Sequence, residues 1–252
     1  MHEPGMDLPA YLKERPYPGR GILLGVAAKN DWANAVIAYF IMGRSENSRN
    51  RVFEETEDGI RTKARDESKM TDPSLVIYHP VRLCGTDTIV TNGDQTDTIR
   101  DHLREGKTFA DALRTRTFEP DAPNYTPRIS GIVHRNGHYE LSILKEWDGL
   151  CRRFFFEYDG PRRNFGHFIS TYQGFGEPKP SFEGEPLLVT LPYPSAEALA
   201  DALWDSLDAD NRVALFVRYI DLRNGCPETV IINQYGERTH TAPKQAIWRN
   251  ES

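Results

Sequence analysis

Three short segments of this 252-residue chain concentrate side chains able to do chemistry. The first is Thr91-Asn92-Gly93-Asp94-Gln95-Thr96-Asp97-Thr98-Ile99, which leaves an apolar run, turns at Asn92-Gly93 and enters a helical pattern. Free backbone N–H groups at such a helix start bind an anion, or else are satisfied by their own capping side chains. Asp94 and Asp97 oppose phosphate there, so contacts to a ribose or a base suit the segment better. The second is Asn124-Tyr125-Thr126-Pro127-Arg128-Ile129, where Pro127 pushes Thr126 toward extended geometry and Arg128 enters a strand. An arginine so placed grips phosphate bidentately or forms a structural ion pair. The third, Phe168-Ile169-Ser170-Thr171-Tyr172-Gln173-Gly174, is a strand end rich in hydroxyls. Its Tyr172 either donates to a substrate oxygen or is a half-buried strand tyrosine. Tyr78-His79 closes another apolar run and carries the same two readings.

The formal net charge is -6, against a nucleic-acid-binding face. Arginines nonetheless cluster at Arg44, Arg49 and Arg51 and again at Arg152, Arg153, Arg162 and Arg163, which suits a small phosphorylated ligand or a solvated strand face. His134 and His138 flank Asn136-Gly137 and are expected to pair across a hairpin, and no third metal ligand accompanies them. Cys84, Cys151 and Cys226 lack CxxC spacing and read as buried small hydrophobes. No GxGxxG, P-loop, GxSxG or HExxH string occurs. With no apolar run of membrane length and no signal-like start, the expectation is a soluble cytoplasmic protein.

The elements that must hold these segments are mostly strands. About eleven alternating or apolar runs rich in β-branched and aromatic residues extend from residue 21 to residue 235, joined by short turns such as Asn136-Gly137. Helices are expected at Thr98–Glu105, at FADALRTR after the Thr108-x-x-Asp111 box, and at AEALADALWDSL after Ser195. This order does not alternate as βαβ, so the pattern predicts an α+β fold of antiparallel sheets stacked face to face with helices outside. Residues 1–18 are expected to form an irregular lead and residues 19–250 one domain, with the charged hairpin around Glu55 to Lys69 and the last few residues ragged.

In chain order, Tyr78-His79-Pro80-Val81-Arg82-Leu83, Asp87-Thr88-Ile89-Val90-Thr91-Asn92-Gly93 with Thr96-Asp97-Thr98-Ile99, Thr126-Pro127-Arg128-Ile129 and Ile169-Ser170-Thr171-Tyr172 resemble the archaeal-type IMP cyclohydrolases. Gly43-Arg44-Ser45 through Arg49-Asn50-Arg51 resembles the family's SR-rich strand. The resemblance implies an N-terminal-nucleophile-hydrolase-like fold, a four-layer αββα sandwich, used without its usual terminal nucleophile. It implies closure of the purine ring of 5-formamidoimidazole-4-carboxamide ribotide to IMP with loss of water, the last step of de novo IMP biosynthesis. The expected partner is that small ribotide, with no cofactor, metal, nucleic acid or membrane, and a homo-oligomer is left open. By resemblance, Arg49, Arg51 and Arg128 bind phosphate or carboxamide, Tyr78 and Tyr172 donate to the oxyanion or formyl oxygen, and Asn92, Thr96 and Asp97 shape the ribose or base pocket. Glu119 is the acid/base by position. The spacing to Thr126-Pro127-Arg128 departs from the family pattern by about a residue, which keeps Asp121 as an alternative. The lead, the segment Leu150–Gly166 and a longer C-terminal end are additions to the family pattern. The competing readings are a purine-nucleotide sensor without catalysis and an amide hydrolase using Cys84 or Cys151.

Overall fold

A computed structural model describes residues 4–29, 32–70, 77–160, 162–242 and 246–247. One sheet is built from β1 (Arg20–Lys29), β2 (Trp32–Met42), β10 (Phe165–Ser170), β11 (Leu187–Thr190), β12 (Arg212–Asp221), β13 (Pro227–Asn233) and β14 (Arg238–Thr241), in the order β11-β10-β1-β2-β12-β13-β14. The other is a meander in chain order of β3 (Arg51–Thr56), β4 (Gly59–Ala64), β5 (Val81–Cys84), β6 (Asp87–Thr91), β7 (Arg128–Val133), β8 (Tyr139–Trp147) and β9 (Leu150–Tyr158). All neighbouring strands pair antiparallel.

Alternation along the strands decides the layering, because successive side chains point to opposite faces. On β2, Ala35, Ile37, Tyr39 and Ile41 pack between the sheets with Ile129, Leu141 and Val90 of the facing sheet. The intervening Val36, Ala38, Phe40 and Met42 face outward and are covered by two helices, α1 (Leu8–Lys13) and α5 (Ala196–Ser206). The outer face of the second sheet is covered by α3 (Gln95–Arg104) and α4 (Phe109–Arg114), through Ile99, Phe109 and Leu113 on Ile89 and Ile132. A single turn, α2 (Glu46–Arg49), joins the two sheets. The order is therefore helices, sheet, sheet, helices, as the alternation predicts.

Four expectations change. The lead is not irregular throughout: Asp7 caps α1, Leu8 and Leu12 bury themselves against the outer face, and Met6 bridges to Val189. The charged hairpin around Glu55 is not ragged over residues 51–64, because β3 and β4 pair in continuous register with Phe53, Ile60 and Thr62 turned inward. β14 is a further strand that composition concealed, since all four of its residues are exposed. All three cysteines are only half-buried.

Candidate functional site

The sheets are antiparallel, so one end of the sandwich collects the starts of β1, β3 and β7 and the ends of β6 and β10. Arg20, Arg51 and Arg128 are the first residues of their strands, and Thr91 and Ser170 the last of theirs. The chain makes this end tight. Gly19 lies in the left-handed region at φ 78°, and a Cβ there would collide with the Thr171 hydroxyl and the Tyr172 ring. The Arg20 N–H donates to that hydroxyl at 3.1 Å and the Thr171 N–H to the Arg20 carbonyl at 2.9 Å.

Two guanidiniums meet at this end, that of Arg51 fully enclosed and that of Arg20 partly so. Arg51 is 0% exposed; its Nε donates to the Ser48 carbonyl at 2.8 Å, while Nη1 and Nη2 find no hydrogen-bond partner among the described residues. The Nε of Arg20 is likewise buried and unpartnered. Burial opposes the charge of Arg20, but Tyr17, Glu119, Tyr78 and Tyr39 outweigh it and hold its pKa above the ordinary value. Burial, then the neighbouring Arg20, lowers that of Arg51. Charged groups removed from water without a counter-ion are costly, and such a cost persists where a ligand supplies the missing partner.

Beside them the Tyr39 and Tyr78 hydroxyls meet at 2.9 Å. One of the two donates to the other, so the accepting hydroxyl keeps a proton to give elsewhere. Burial, then Tyr78, raises Tyr39 well above the usual phenol range, which keeps it protonated. Glu119 is 3% exposed, and burial raises its pKa to about 7 against the opposing pull of Arg20 and Arg128. Asp121 is spent otherwise: it accepts from the Thr126 N–H at 2.6 Å and from the Thr126 hydroxyl at 2.5 Å. With its proton on Asp121, the Thr126 hydroxyl accepts from Tyr172 at 2.8 Å, and Tyr17 of the lead stacks on Tyr172 with centroids 6.2 Å apart.

The turn after β6 holds Arg128. Asn92 Nδ2 donates to the Pro127 carbonyl at 2.9 Å, while its Oδ1 accepts from the Ile129 N–H at 2.9 Å and from Gln95 Nε2 at 3.0 Å. Arg128 Nη1 donates to Asp94 at 2.7 Å and to Gln95 Oε1 at 2.6 Å. A Cβ on Gly93 would lie 2.5 Å from that Nη1 and 3.6 Å from Glu119 Oε1, so glycine is needed where the arginine and the acid converge.

Of the residues singled out in the sequence, Arg51, Tyr78, Glu119, Arg128 and Tyr172 come together here. Asn92 and Thr96 lie at the same end but build it: the amide of Asn92 staples two strands, and the Thr96 hydroxyl pairs with Thr91 at 2.6 Å. Asp97 turns outward to Arg82 at 2.7 Å and Arg100 at 3.2 Å. Arg49 lines a separate cleft with Arg65 and Tyr235. Arg152 and Arg162 lie over the rings of Trp147 and Phe165. His134 and His138 pair across the hairpin through the backbone, the His134 N–H donating to the His138 carbonyl at 2.9 Å, but their imidazoles do not meet. They reach Asp87 and Asp159 instead, and no group of three metal-ligating side chains exists among the described residues. Sequence reasoning missed Arg20 and Tyr39. The first precedes an apolar run and the second sits inside one, although the glycines flanking Arg20 signal close approach.

A profile described as IMP cyclohydrolase-like protein matches residues 17–225, most of the chain and all of this buried end. The chain belongs to this family. A protein named IMP cyclohydrolase from Methanococcus maripaludis strain C7 is 33% identical over 128 residues, 49% of this chain and 61% of that protein. One of the same name from Methanopyrus kandleri is 28% identical over 188 residues, 72% of this chain and 89% of that protein. A third, from Methanococcus aeolicus, is 28% identical over 127 residues. The chain thus aligns with less than two thirds of the length of the Methanococcus relatives.

Proposed function

We propose that this chain is an IMP cyclohydrolase that closes the ring of 5-formamidoimidazole-4-carboxamide ribotide. The observation that carries the reading is a guanidinium pair, Arg20 and Arg51, with three buried unpartnered nitrogens, set beside a carboxyl whose pKa lies near 7. The αββα layering supports an N-terminal-nucleophile-hydrolase-like arrangement with Arg20, not a nucleophile, at the head of β1. The names of the relatives supply the reaction, and the geometry supplies a route for it.

Arg20 and Arg51 take the oxygen-rich groups of the ribotide, its phosphate or the carbonyl of its carboxamide. Ring closure forms a C–N bond between the carboxamide nitrogen and the formyl carbon. Glu119, as carboxylate, accepts the proton that this nitrogen loses. The formyl oxygen gains charge as the bond forms and accepts the spare proton of the Tyr39–Tyr78 pair; a donor so placed contributes roughly 3 kcal/mol. Glu119, now protonated, gives its proton to the departing hydroxyl; as the C–O bond breaks and water leaves, the former formamide nitrogen forms the ring C=N bond and its N–H proton returns to the Tyr39–Tyr78 pair. A carboxyl near pKa 7 is suited to both transfers at neutral pH. Tyr172 and Asp121, already joined through Thr126, position the wall of the site. Asn92 and Thr96 act through the Arg128 turn.

Purified protein is expected to convert the formylated ribotide to IMP, followed by ultraviolet absorbance. Glu119→Gln is expected to bind IMP and turn over far more slowly. IMP binding without turnover in the wild type would leave a purine-nucleotide sensor, and turnover lost only on alkylation of Cys84 or Cys151 would restore the amide-hydrolase reading.

A further inference from the structure

The cleft that takes Arg49 away from the buried end has a volume of about 540 Å³, within the range of small-molecule sites. Its walls are fixed by hydrogen bonds that leave the guanidiniums of its two arginines free of them. Asn50 Nδ2 donates to the Asp66 carbonyl at 2.7 Å and Asn50 Oδ1 accepts from the Asp66 N–H at 2.9 Å, which locks α2 to the segment after β4. Gln234 Nε2 donates to the Arg49 carbonyl at 2.5 Å and the Tyr235 hydroxyl to the same carbonyl at 3.3 Å, which ties in the turn between β13 and β14.

Three cations line the cleft: Arg49, Arg65 and Lys69. Its two carboxylates are engaged. Glu46 pairs with Lys69 at 3.4 Å, and Asp66 turns onto its own loop, accepting the Ser68 hydroxyl at 2.6 Å and N–H at 3.1 Å. Among the described residues no carboxylate lies within ion-pairing distance of Arg49 or Arg65. The Arg65 guanidinium carbon sits 3.3 Å above the centre of the Tyr235 ring, which holds its planar fork in one orientation. A stacked guanidinium beside a second unpaired one is the donor arrangement that recognises a phosphate group bidentately. Arg65 continues the outward register of Arg61 and Lys63 on β4, whereas the buried Arg51 is turned inward on β3.

We propose that this cleft is a second binding site, for the phosphate of a mononucleotide, separate from the Arg20–Arg51 pair and with Arg65 and Tyr235 at its centre. The choice of a mononucleotide rests on the proposed function, and the double variant separates the two, because it reports on this cleft's equivalent whether or not turnover occurs.

Isothermal titration of the full chain with IMP tests it, using the wild type and the double variant Arg65→Ala/Lys69→Ala. Two equivalents are expected for the wild type. The variant is expected to retain one and to weaken the other by about 100-fold, the loss of two charge-assisted contacts. Displacement of only that second equivalent by inorganic phosphate supports recognition led by the phosphate, and its weakening in Tyr235→Ala supports the stacked orientation of Arg65 as the phosphate-gripping one. A single wild-type equivalent that the double variant keeps undiminished, two undiminished equivalents in that variant, or loss of its turnover overturns the proposal, the last by making the cleft part of the substrate site.

Discussion

Glu119 and Arg51 are held in states that water would not choose, and each gives a prediction that separates function from folding. Glu119 titrates near 7 because it is buried, so the pH dependence of kcat should carry an inflection there. Glu119→Gln should lower kcat by roughly 10²–10⁴-fold and remove that inflection while IMP binding persists. Steady-state rates from pH 5.5 to 8.5 check both; an unchanged inflection in the variant would move the acid/base elsewhere. Arg51→Met should weaken substrate binding by about 100-fold through the lost charge-assisted contacts. It should also leave thermal stability unchanged or raised, because two orphaned buried nitrogens and a like charge at Arg20 are relieved. A structural arginine would instead destabilise on removal. Tyr78, Glu119 and Arg128 were legible because they stand at strand ends or beside prolines, in strings that resemble a family. Arg20 and Tyr39 were not, since each joins the candidate site only through neighbours distant in the chain or across the sandwich.

At the scale of elements, the turn that follows β6 matters more than any single ligand it was expected to offer. Its sequence was conspicuous, and its hydroxyls and amides suggested a pocket lining. The amide of Asn92 is instead consumed within the protein, joining the end of β6 to the start of β7 and orienting Gln95, which in turn holds Arg128. Polarity alone does not distinguish a group that meets substrate from one that meets backbone; only the partner does. Asn92→Ala leaves the Ile129 N–H and the Pro127 carbonyl unsatisfied in a buried place, so a loss of about 2–4 kcal/mol is expected in urea unfolding, with activity reduced through a displaced Arg128. Gly93→Ala should do the converse. Its new Cβ would press on Arg128 Nη1 and Gln95 Oε1, both 2.5–2.6 Å away, so turnover should fall more than stability. Equal losses in both quantities for both variants would mean that the turn has no separate role in placing the arginine. Strands were legible from alternation wherever one face is apolar. β14 was not, and the order of the β3–β4 hairpin was not, because their outward residues are charged or polar at most positions.

Across the whole molecule the sandwich places differently tuned groups at its two ends, and their titration windows do not coincide. At the site end, Glu119 has a folded pKa of about 7 against an ordinary 4.5. Its contribution to stability is complete below 4.5 and falls as pH rises through 7, by about 3 kcal/mol in all. At the other end His134, just past β7, has Nδ1 3.1 Å from Asp87 of β6 and Nε2 3.4 Å from Glu140 of β8. Hydrogen bonding to Asp87, then to Glu140, raises its pKa to about 9 from 6.5. The folded state therefore favours the imidazolium. That stabilisation is complete below 6.5 and lost as pH rises through 9. Three strands are strapped together by one charge, at the end of the sheet farthest from the arginines. Thermal unfolding followed from pH 4.5 to 10 should show the wild type losing stability in both windows. Glu119→Gln should flatten only the slope between 4.5 and 7. His134→Gln should start below the wild type at pH 6 and converge on it by pH 10. A His134→Gln curve parallel to the wild type across 6.5–9 would show that the Asp87–His134–Glu140 strap carries no charge in the folded protein, and the steep window would then belong to another group.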